Sequence, residues 1–154
     1  QWIDALLKAA GVTVTPPADP RLEAADEALL AGDLDAAEQA YKKILAETPA
    51  DPAAEAGLAQ VALARRTAGV DPVKALDRAK AAPDDIAAQL TAADVEVLNG
   101  RAEQAYDRLV NLVRRTTGDD REQARAHLVS LFAVAGPDDP AVAAARRALA
   151  SALF

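Results

Sequence analysis

The residues that could do chemistry are few. His127 is the single histidine of the 154-residue chain, and Ser130, three residues on, would bring a hydroxyl to the same helical face. A nucleophile and base of this kind need a third group to orient the imidazole, and none is evident, so His127 is expected to be structural. The acid pairs Asp84-Asp85, Asp119-Asp120 and Asp138-Asp139 could be metal ligands, yet each stands before an expected helix, where Asp caps free N–H groups. None has the alternating oxygen ligands and turn glycine of a calcium loop. Tyr41 and Tyr106, at helical spacing with Ile44, Leu109 and Val110, read as core. With no cysteine there is neither thiol nucleophile nor disulfide. No catalytic residue, metal site or cofactor is expected, and the chain reads as non-enzymatic.

Half of the chain is apolar but only 3% is aromatic, and 41 residues are alanine. Alanine is the best helix former, and β-branched residues are scarce, so the expected class is all-α with closely packed helices. The net charge is −7, carried by residues 1–60, whereas residues 61–154 are balanced. Nucleic-acid affinity needs a basic face to neutralise phosphates, so no such partner is expected. Pairs such as Arg65-Arg66 are expected to be solvated or paired with acids. No apolar run approaches a membrane span, and no secretory leader pattern is present. A cytoplasmic protein with no membrane partner is the expectation.

The prolines and glycines set the helix boundaries. Asp-Pro occurs at 19-20, 51-52, 71-72 and 139-140. Asp accepts from the first-turn N–H groups, and Pro at the first helical position lacks a donor that would be orphaned anyway. Gly32, Gly69, Gly100, Gly118 and Gly136 are expected to be stops. The expected helices cover 2–8, 19–31, 34–47, 52–67, 72–81, 85–98, 101–116, 120–135 and 140–153, paired into hairpins. The pentapeptide AEQAY occurs at Ala37–Tyr41 and Ala102–Tyr106, 65 residues apart, but Gly32 and Gly100 lie 68 apart, two periods of 34. Counting from each glycine matches Ala37 to Ala105 and Tyr41 to Leu109. The repeat is real, and the identical pentapeptides are out of its register.

A 34-residue period with a turn glycine, a small residue five later, a large one four beyond and a closing proline resembles the tetratricopeptide repeat. The best copy is PRLEAADEALLAGDLDAAEQAYKKILAETP. The resemblance implies a right-handed superhelix of helical hairpins, about four degenerate repeats over residues 19–154, whose inner groove binds proteins or peptides. On this alignment Leu22, Asp26, Gln60, Leu90 and Asp94 would face the groove. Two acids there oppose clamping of an acidic tail and favour basic or apolar segments.

The order of segments from AGDLDAAEQAYKKILAETPADPAAEAGLAQV to ARRALASALF is similar to the C-terminal half of bacterial thioredoxin-like co-chaperones, the chaperedoxin family. Residues 1–18 resemble the end of the preceding thioredoxin-like domain and a linker. The resemblance implies capture of unfolded clients and transfer to a GroEL-type chaperonin, docked through the last helix at Arg146, Arg147, Leu149, Leu153 and Phe154. Val142, Ala145, Leu149 and Leu153 also form a stripe that could simply pack inward. The alternative is a scaffold that self-associates into a homo-oligomer through exposed repeat edges.

Overall fold

The computed structural model describes residues 19–154. The expected segment 2–8 and the domain boundary at residue 18 fall outside the described residues. The fold is all-α: α1 (Pro20–Leu30), α2 (Leu34–Glu47), α3 (Pro52–Thr67), α4 (Pro72–Ala81), α5 (Ile86–Leu98), α6 (Ala102–Arg114), α7 (Gly118–Ala135) and α8 (Pro140–Leu153). Among the described residues there is no strand. Nor is any helix there long and apolar enough to cross a membrane.

The local signals act as their chemistry requires. Asp19, Asp51, Asp71 and Asp139 are N-caps, each accepting a hydrogen bond from a backbone N–H of the first turn, with proline next in line. Asp85 caps α5 without a proline. At the end of α1 the Gly32 N–H donates to Leu29 O and the Asp33 N–H to Ala28 O; at the end of α5, Gly100 and Arg101 repeat this pair of bonds with Val97 and Glu96. Both glycines have positive φ, so the same left-handed cap recurs 68 residues apart and confirms the register taken from the glycines. Gly118 behaves differently from expectation. α6 closes at Arg114, and Gly118, with φ +61°, opens α7, so Asp119 and Asp120 lie inside its first turn instead of before it. Carboxylates there still favour the positive end of the helix dipole.

Packing follows a hairpin pattern in the first and third units, where α1 lies on α2 and α5 on α6. The second and fourth units depart from the expected pairing. α3 and α4 do not pack on each other; α4 lies on α5, and α8 lies mainly on α6 instead of α7. A further contact closes the arc, since α3 packs directly against α7 as well as against α5. Helix α3 therefore joins two cores. Val61 belongs to the cluster with Ala25, Ala37, Tyr41, Ile44 and Ala54, while Leu63, on the opposite side of the helix, belongs to the larger cluster built around Tyr106, Leu109, Leu128, Leu131 and Phe132. A smaller cluster, Ala79 with Ala88 and Ala92, holds α4 to α5.

Tyr41 shows how closely these helices approach. Its ring is fully buried, its hydroxyl donates to Asp26 across the first hairpin, and it lies close against Gly57 of α3. A Cβ at residue 57 would stand 2.3 Å from Cε1 and Cζ of that ring. Replacing a mid-helix glycine with alanine ordinarily stabilises by about 1 kcal/mol. At this position overpacking reverses the sign: Gly57→Ala is expected to destabilise the fold by about 1–3 kcal/mol, measured by urea unfolding.

Candidate functional site

The polar centre of the molecule is Asp94, on α5, which is only 4% exposed. Its Oδ2 accepts from Arg66 Nε of α3 at 3.1 Å, its Oδ1 from Arg66 Nη2 at 3.1 Å, and Oδ1 also from His127 Nε2 of α7 at 2.7 Å. One carboxylate thus joins three helices, α3, α5 and α7. A buried carboxylate without partners would be strongly disfavoured, and a two-pronged guanidinium with a ring N–H satisfies it. Burial works to raise the Asp94 pKa, but the hydrogen bonds from His127 and Arg66 and their charges outweigh it, and the carboxyl is held below its ordinary value.

The expected groove row is dispersed by this arrangement. Asp26 and Gln60 lie on the surface, with Asp26 engaged by Tyr41, but Asp94 is enclosed instead of facing an open groove. Leu22 packs on the first core and Leu90 on the larger one. The reason is visible in the repeat register. Asp26 is paired with the Tyr41 phenol; the position equivalent to Tyr41 in the third unit is Leu109, which has no hydroxyl, and Asp94 instead draws in Arg66 and His127. Arg66 and His127 were not legible as partners from sequence, although their separations from Asp94, 28 and 33 residues, are close to one repeat. Ser130 plays no part with the imidazole, because its hydroxyl donates to the His127 backbone carbonyl at 2.6 Å. The imidazole is instead held by Asp94, linking α7 to α5.

A second polar network fixes α4. The Gln89 side chain, 2% exposed, donates through Nε2 to the carbonyls of Ala79 and Ala82 at the end of α4, satisfying groups that a helix terminus leaves open. Its Oε1 accepts from Arg108 Nη1 at 2.8 Å, and Arg108 also pairs with the nearly buried Glu96. Arg65 pairs with Asp35 and Glu38 of α2, as expected for these arginine pairs. On α8 the candidate residues divide. Leu149 is buried and Leu153 packs against the same core, whereas Arg147 and Phe154 are exposed. The Arg146 guanidinium lies 5.3 Å above the Phe132 ring, so it covers the core as a cation–π partner. Among the described residues, no three His, Asp or Glu side chains converge on a point where a metal could sit.

Stacked antiparallel helices with a repeated glycine cap, arranged around a period of 34, define a helical-repeat protein. The tetratricopeptide repeat family profile matches residues 65–154, more than half of the chain, and the chain belongs to that family. It is also 38% identical over 162 aligned positions to uncharacterized proteins of Mycobacterium bovis and of Mycobacterium tuberculosis strains, covering all of this chain and 53% of theirs. The chain thus spans about half the length of the curated relatives it matches. No solved structure matches it.

Removing one member of a buried ion pair strands the other, at a cost of about 3–5 kcal/mol. Asp94→Ala is expected to destabilise by about 3 kcal/mol at pH 7 in urea unfolding. The folded-state pKa of Asp94 is depressed, so the unfolded chain binds its proton first as the pH falls. The stability gap between wild type and variant should be full above the ordinary value of 3.8 and narrow progressively below it.

Proposed function

We propose that this chain is the protein-binding repeat half of a thioredoxin-like co-chaperone, which holds unfolded clients and passes them to a GroEL-type chaperonin in the cytoplasm. Tetratricopeptide repeats bind proteins and peptides through the surfaces of stacked helices, and membership of that family is the observation that carries the binding role. The co-chaperone assignment is supported by the resemblance along nearly the whole chain, and the relatives are long enough to hold a further domain. The module acts by binding and not by turnover. Because Asp94 is enclosed between α3, α5 and α7, this reading gives partners the exposed helix faces and the tip of α8. Phe154 is fully exposed there, and Arg147 is exposed about two turns of helix before the tip.

A second reading, self-association, is favoured by Leu30 and Leu98. These leucines hold the same repeat position before the glycine caps, and they are 88% and 55% exposed. A mass by light scattering that rises with concentration would support it.

Deleting α8 would uncover Tyr106 and the core under Val142 and Leu149, so docking is better tested with surface changes. Binding of the chain to a purified GroEL-type chaperonin is measured by interferometry, with Arg147→Glu/Phe154→Ala compared against wild type. A loss of about tenfold or more, with helicity unchanged by circular dichroism, is the expected result. Equal binding by both would remove the docking role of α8. Absence of binding by the wild type would remove the chaperonin as partner.

A further inference from the structure

Among the described helices, α4 alone packs on a single other helix, α5. The apolar part of that seat is small, Ala79 against Ala88 and Ala92 with Leu76 beside them, and it belongs to neither of the two larger cores. Both flanks of α4 are hollow. One cavity, of about 480 Å³, is lined by Lys74, Ala75 and Arg78 of α4 with Ala88 and Thr91 of α5. Another, of about 390 Å³, is lined by Leu76, Asp77 and Lys80 with Glu96 and Arg108, and at 100° per residue these two sets of α4 positions lie on opposite sides of the helix. What fastens α4 is polar. Gln89 Nε2 donates to the Ala79 carbonyl at 2.8 Å and to that of Ala82 at 3.2 Å, while its Oε1 accepts from Arg108, which is itself paired with Glu96. The exposed pair of Arg78 with Asp85, at 3.3 Å, adds little to this hold.

We propose that α4 is a latched flap: it leaves its seat on α5 as a unit while α3, α5, α6 and α7 stay assembled, and Gln89, positioned by Arg108, is the latch. The helices on either side of it in the chain do not need α4 to stay in place. α3 packs directly on α5 and α7, and Arg66 of α3 holds Asp94 of α5. The turn after α4 is pinned separately, since Arg115 Nη2 donates to the Pro83 carbonyl at 2.7 Å. That turn and the one over residues 68–71 are the hinges. Away from α5, the ten residues of α4 fall short of the roughly 12–15 that an isolated helix needs in water, so release is accompanied by unwinding. The movement breaks one small cluster and the two bonds from Gln89, and it spares both larger cores.

The test is native-state hydrogen exchange of the whole chain, followed residue by residue by NMR at several urea concentrations below the unfolding transition. Relative to their unfolded-chain rates, the amides of residues 76–82 are expected to exchange about a hundredfold or more faster than those of α6 and α7, with a weaker dependence on urea because less surface is exposed. Gln89→Leu should speed residues 76–82 by about a further tenfold. Leu128→Val trims the larger core on α7, on which α4 does not pack, and those contacts persist when α4 alone has left its seat. It should speed α6 and α7 about fivefold and leave residues 76–82 unchanged. Equal rates and equal urea dependence in α4, α6 and α7 would overturn the proposal, as would residues 76–82 quickening with Leu128→Val to the same extent as the rest. Unchanged exchange of residues 76–82 in Gln89→Leu would overturn the latch. The wild-type and Leu128→Val measurements decide the flap whether or not Gln89→Leu folds.

Discussion

The shared carboxylate of Asp94 sets the geometry of the molecule. A charge that is 4% exposed must be met by partners already in place, and here they come from α3 and α7, on either side of α5. Satisfying that single group draws three first helices of successive repeats together and brings α3 against α7. Asp94 is thereby enclosed between helices, while Phe154 at the tip of α8 stays fully exposed.

The same repeat position has two solutions in one chain. In the first unit Asp26 stays at the surface and takes a phenol hydroxyl from within its own hairpin. In the third unit the phenol is replaced by Leu109, and Asp94 turns to cationic and imidazole donors from other units. A single change from tyrosine to leucine thus separates a local hydrogen bond from a connection spanning the domain. Gly57 belongs to the first solution, since only a residue without a side chain lets α3 approach the Tyr41 ring so closely.

What could be read from the chain beforehand followed the range of the forces involved. Caps act over two or three residues, and the four Asp-Pro starts and the bounds of α2, α3, α4 and α8 were legible for that reason. Gly118 was misread because a glycine with positive φ suits either end of a helix, and the break at Arg115 carries no proline or cap side chain to decide. Pairing between helices was less legible. Whether α4 returns to α3 or lies on α5 depends on Gln89 reaching the carbonyls of Ala79 and Ala82, and nothing in the local pattern marks a glutamine for that task. The groove row was visible as a spacing of residues, but the side on which it closes depended on Arg66 and His127, 28 and 33 residues away.

Repeat arrays are commonly quasi-one-dimensional: each unit meets only its neighbours, and an end can fray while the rest persists. The packing of α3 on α7 breaks that rule, because it joins units separated by another. Closing so long a loop costs chain entropy, which contacts far apart in sequence return only once most of the domain has assembled. Residues 52–135 are thereby bound into one cooperative body, with α4 held at its edge by Gln89 and a few alanines. In such a fold the unit of stability is the closed arc and not the hairpin, and α4 is the element best placed to open without breaking it.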